Sequence, residues 1–115
     1  MTAKIDAALS SVLAKVRSHY GARAKTIYRI DRNSDIEDSD RSDAEIVVVL
    51  SDGSWRGLQE QRALGKLTFD TLMEHDVYVR AWPVPVSAWH DPALAEHPGL
   101  VQEFRKHAQE FSVSA

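Results

Sequence analysis

Residues 31–50, DRNSDIEDSDRSDAEIVVVL, bring together two chemistries that any fold of this chain must reconcile. The last five, Ile46, Val47, Val48, Val49 and Leu50, are an unbroken apolar and mostly β-branched run. Such a run predicts a strand covered on both faces, since a half-exposed strand would alternate with polar residues. Residues 31–45 carry seven acids (Asp31, Asp35, Glu37, Asp38, Asp40, Asp43 and Glu45) against Arg32 and Arg41. A polar loop thus delivers carboxylates to the mouth of a core strand. Asp43 and Glu45 stand two residues apart, which on an extended chain places them on one face. Two carboxylates so placed can hold a divalent cation through hard oxygen ligands. The same acids also read as a solvated turn that keeps the strand's end from aggregating.

The rest of the chain supplies the layers such a strand needs. Ile5, Leu9, Val12, Leu13, Val16 and Tyr20 form a one-face stripe that predicts a helix over 3–20, with Thr2 as its cap and Gly21 as its stop. Residues 24–30 favour a strand through Thr26, Ile27, Tyr28 and Ile30. After the turn 51–53, Ser54 is placed to cap a long helix to about residue 74. Its expected inward residues are Trp55, Leu58, Leu64, Leu67, Phe69, Leu72 and Met73. Residues 77–82 alternate as a strand that Pro83 and Pro85 end or confine to a sheet edge. Ser87 is expected to cap a short helical turn. A last helix from Pro98 carries Leu100, Val101, Phe104, Ala108 and Phe111 on one stripe. The expected fold is α/β (α+β): a small mixed β-sheet packed with helices in the order α-β-β-α-β-α. At 115 residues it forms a single domain spanning 1–115.

Within this frame the order of helix, strand, long polar loop, S-D-x-[DE] and apolar strand resembles the minimal nucleotidyltransferase domain. That domain belongs to the polymerase-β-like nucleotidyltransferase superfamily. The family's motif is G-S, ten residues, then D-x-D leading into a strand. Asp43 and Glu45 match the D-x-D within Ser42-Asp43-Ala44-Glu45, and the G-S position falls on Asp31-Arg32. DVYVRAWPVPVSAWHDP (76–92) is similar to the family's third strand and the short Ser-initiated helix after it. EHPGLVQEFRKHA (96–108) is similar to its final helix.

The resemblance implies magnesium held by Asp43, Glu45 and Asp76, the acid nearest the start of the next strand. It implies NTP phosphates near Asp31, Arg32 and Ser42, and transfer of an NMP to a protein or small-molecule acceptor. It also implies a protein partner of the HEPN type, as in toxin–antitoxin pairs. The departure from G-S has a physical meaning. Glycine lets backbone approach a phosphate, whereas Asp31 adds a side chain and a negative charge there. Arg32 offers a phosphate ligand in partial compensation. The expected function is therefore a nucleotidyltransferase-fold protein with a weakened or lost active site, acting through protein contacts as the antitoxin-like half of a pair. The alternative is an active magnesium-dependent nucleotidyltransferase.

Other signals are weaker. Asp31-x-Asn33-x-Asp35 copies the first ligands of a calcium-binding EF-hand loop, but Ile36 and Ser42 stand at its Gly and Glu positions. The histidines (His19, His75, His90, His97 and His107) show no close paired spacing. Tyr78, Trp82 and Trp89 cluster around the prolines. They read as packing of an edge strand on the last helix, as a base-stacking surface, or as a partner-binding patch. A net charge of −3 gives no reason to expect nucleic acid. No long apolar run and no signal-peptide pattern appears, so the expected location is cytoplasmic without membrane contact. A homo-oligomer is left open.

Overall fold

The computed structural model describes residues 2–30, 43–53 and 55–110. Helix α1 (Thr2–Tyr20) leads through a 3-10 turn (Gly21–Arg23) into strands β1 (Ala24–Ile30) and β2 (Ala44–Leu50). Helix α2 (Gly57–His75), strand β3 (Val79–Pro85) and a short helix α3 (Val86–His90) follow. A second 3-10 turn (Pro92–Leu94), helix α4 (Pro98–His107) and strand β4 (Ala108–Glu110) complete the described chain. The expected α-β-β-α-β-α order is present, with a mixed sheet in the order β3-β2-β1-β4. β1 runs antiparallel to both β2 and β4, and β2 runs parallel to β3.

β2 is buried along its apolar run: Ile46 to Leu50 are at most 1 % exposed. Its alternate residues feed two separate cores. Ile46, Val48 and Leu50 pack with Leu9, Val12 and Val16 of α1 and Leu64 of α2. Val47 and Val49 pack with Val84, Ala88 and Trp89 and with Val101 and Phe104 of α4. The sheet is therefore the middle of three layers, with α1 and α2 on one side and α3 and α4 on the other.

Several local expectations are corrected. α1 begins at Thr2, so Thr2 is the first helical residue and not its cap, while Gly21 stops the helix at φ +56°. α2 starts at Gly57 behind Arg56; Ser54 lies outside the described residues. Of the expected inward set on α2, Leu64 is buried and Trp55 and Leu67 pack partly on the core, but Leu58, Phe69 and Met73 are exposed. The buried face carries Glu60, Leu64, Thr68 and Thr71 instead. Polar residues are tolerated there because each has a local partner. Thr68 Oγ1 donates to the Gly65 carbonyl at 3.0 Å, Thr71 Oγ1 to Leu67 at 3.1 Å, and Glu60 accepts from Arg23 at 2.8 Å.

The third strand runs through Val79–Pro85 on the outside of the sheet, where Pro83 and Pro85, which lack N–H groups, leave no inner ladder broken. α4 stops at His107, and Ala108–Glu110 turn extended to pair with Tyr28, Arg29 and Ile30. The open edge of β1 offers backbone groups that need partners, and this outweighs the helical periodicity that predicted continuation. Phe111, expected on the same stripe, lies outside the described residues.

Candidate functional site

The acidic mouth of β2 is held by β3. Asp43 donates its N–H to the Tyr78 carbonyl at 2.8 Å, and its carboxylate accepts the Tyr78 N–H at 2.9 Å. This reciprocal pair fastens the start of β2 to the approach of β3. Glu45 lies in β2 opposite Arg80, and its Oε2 accepts a 2.6 Å bond from the Trp82 indole Nε1. The Arg80 guanidinium sits 4.9 Å from the centre of the Trp82 ring, a cation–π distance. An indole N–H donates only, so the Glu45 carboxylate is the acceptor that lets a half-buried tryptophan satisfy its one polar atom.

The other expected ligands fall elsewhere. Asp76 does not open the third strand; it is the left-handed residue at φ 60° that caps the C-terminus of α2, and its N–H bonds to Leu72 O. Asp is among the few residues that accept this conformation readily. Its exposed carboxylate lies 3.5 Å from Lys4 of α1, on the side of the sheet away from α4. Asp31, Arg32 and Ser42 lie outside the described residues, as does the EF-hand-like stretch. Among the described residues, no group of three or more His, Asp or Glu side chains is placed to hold a metal ion. The three expected carboxylates thus serve different partners: Asp43 a backbone amide and Glu45 an indole at the mouth of β2, and Asp76 a lysine at the end of α2.

The aromatic cluster resolves into packing on the last helix. Trp89 is buried and stacked on Tyr28 at 4.7 Å, and Trp82 meets Phe104 of α4 at 5.5 Å. Tyr78 remains exposed.

Two features escape the sequence reading. One is a polar cluster beneath the end of α1. Buried Glu60 is paired with Arg23, whose guanidinium also lies 5.5 Å from the Tyr20 ring. Burial, with the Glu60 carboxylate adding to it, pushes the Tyr20 phenol well above its ordinary range. The signal was Glu60 standing one helical turn before Leu64. The other is a cleft of about 810 Å³ at the carboxyl ends of the parallel strands β2 and β3. There the Asp52 carboxylate accepts from Ser87 N at 3.0 Å and from Ser87 Oγ at 2.6 Å, tying the end of β2 to α3. Ser87 is thus the second residue of α3 and a partner of Asp52, not a cap. Nothing in the sequence joins residues 52 and 87; only the parallel register of β2 and β3 does.

Among the described residues, no helix is long and apolar enough to cross a membrane. In comparison with known proteins, no family model matches the chain, no curated protein matches it, and no solved structure matches it.

Proposed function

We propose that this chain is a minimal nucleotidyltransferase-like protein whose nucleotide site is weakened or lost, and that it acts through protein contacts. The carrying observation is the 2.6 Å bond from Trp82 Nε1 to Glu45. That bond commits one oxygen of Glu45 to anchoring an indole against α4. The engagement of Asp43 by the Tyr78 amide and of Asp76 by Lys4 supports the same reading. So does the replacement of Gly-Ser by Asp31-Arg32 in the motif's register. The layered α-β-β-α-β-α order supports the family resemblance at the level of architecture.

For the contact surface, the support comes from α2. Leu58, Phe69 and Met73 are 65 %, 58 % and 69 % exposed and recur at near-helical spacing on its outer face. The occupant favoured by the resemblance is a helical protein of the HEPN type, an apolar helix face being suited to another helix.

Calorimetric titration with NTP and magnesium tests the reading. The expected result is no saturating heat for the natural chain. Replacement of Asp31-Arg32 by Gly-Ser is expected to strengthen binding by about tenfold, roughly 1.4 kcal/mol. Tight magnesium-dependent binding by the natural chain, weakened by that replacement, would establish the active enzyme instead, with Arg32 as a phosphate ligand.

A further inference from the structure

The outer face of α2, taken above as a contact surface, carries a pattern that is complementary to itself. Gly65, Phe69 and Met73 stand at four-residue intervals, which lines them up along one side of the helix. All three are exposed, and a side chain at Gly65 would meet nothing within 4 Å. The stripe is thus an aromatic ring with a long flexible side chain to one side of it and a gap to the other. Lys66 and Asp70 run along one flank, Lys66 exposed and Asp70 partly so.

Such a face fits a copy of itself turned end over end. When two α2 helices pack antiparallel about a two-fold axis near Phe69, the two rings meet at the axis. Met73 of each helix then lies over Gly65 of the other, because both stand four residues from the axis, about 6 Å along the helix. The symmetry also sets each flank against the same flank of the other copy. Lys66 of one helix comes within a turn of Asp70 of the other, and the reciprocal pair forms with it. Lys66 and Asp70 are neighbours on their own helix as well, so the contact gathers four charges of both signs. Arg62, seven residues before Phe69, is brought to the carboxyl end of the other helix, where the macrodipole favours a cation. Glu74 is already held by Lys15 of α1 and is not needed. A parallel pairing would instead set gap on gap and Lys66 on Lys66.

We propose that α2 forms the interface of a two-fold dimer of this chain, through antiparallel pairing of the stripe Gly65, Phe69 and Met73. The proposal rests on the reading of α2 as a contact surface and not on the state of the nucleotide site. One helix face from each copy is small beside the interfaces of permanent dimers. The dimer is therefore expected to dissociate with a Kd of about 100 μM, leaving the dilute chain monomeric. A helical partner of another kind takes the same face and displaces the second copy.

Sedimentation equilibrium of the full chain, at concentrations up to about 1 mM, tests it. The parent is expected to associate to a dimer and no further, and Phe69→Ser to abolish the association. Lys66→Asp and Asp70→Lys each turn the attraction between copies into repulsion at two symmetric places, so each alone is expected to dimerise at least about tenfold more weakly. In an equimolar mixture the acidic flank of one variant faces the basic flank of the other, and association is expected to return. An effect confined within one chain would not respond to mixing. All three positions lie on the outer side of α2, so the variants should melt like the parent in dilute solution, and the melt is measured to establish it. A parent that stays monomeric, a dimer unaffected by Phe69→Ser, or a mixture no tighter than its two components would each overturn the proposal. Each would overturn self-pairing alone, since the weakened nucleotide site is decided by the NTP titration, which these variants do not touch.

Discussion

Arg23 and Glu60, 37 residues apart, meet at 2.8 Å and join the 3-10 turn after α1 to the first turn of α2. Glu60 is 5 % exposed, so its charge is tolerable only with that partner in place. Arg23→Ala is expected to destabilise the fold by about 2 kcal/mol, below the figure for a fully buried pair because water reaches part of the arginine. Replacing both residues, Glu60→Leu with Arg23→Met, is expected to restore most of that loss. Denaturant melts of the two variants and the parent check both numbers.

Tyr20 gives the fold an alkaline limit. Its folded pKa lies above the unfolded value of about 10, so the neutral phenol is bound more tightly by the folded state. That stabilisation is complete below about pH 10 and falls away as pH rises toward the folded value. Tyr20→Phe is expected to move the alkaline unfolding midpoint upward relative to the parent. Circular dichroism across pH 9 to 12 reads the difference.

Val48 is fully buried in the middle of β2. Val48→Asp places an unpaired charge there at a cost of several kcal/mol, close to the whole stability of a domain this size. The variant is expected to lose its cooperative thermal transition. A soluble variant with an unchanged midpoint would show that this strand is not the core.

Phe69 and Met73 face outward, so their replacement should leave the fold intact. Phe69→Ser and Met73→Ser are each expected to change stability by no more than about 0.5 kcal/mol. Had they been core residues, each would cost about 3 kcal/mol or more. A thermal melt separates these outcomes without ambiguity.

The contrast between Val48 and Phe69 explains what a sequence of this kind makes legible. β2 was readable because five consecutive apolar residues fit only a strand covered on both sides, and that one strand implies two layers of helices. α2 was misread on its face because periodicity counts apolar residues, while burial depends on whether polar ones find partners. Thr68 and Thr71 find theirs on their own helix, and Glu60 finds Arg23. Asp76 was misplaced by a single cap: proximity to the strand suggested a ligand, but the left-handed turn sends its carboxylate to Lys4. The reversal at Ala108 depends on an edge of β1 that exists only once the sheet is assembled.

The strands at the two ends of the sheet also decide how copies of this protein can meet. β3 carries two prolines among its seven residues, and β4 is three residues long. Among the described residues, each of these strands offers a neighbouring chain only a short ladder, which disfavours growth of a continuous sheet from them. A two-fold contact through a helix surface, by contrast, closes into a discrete dimer.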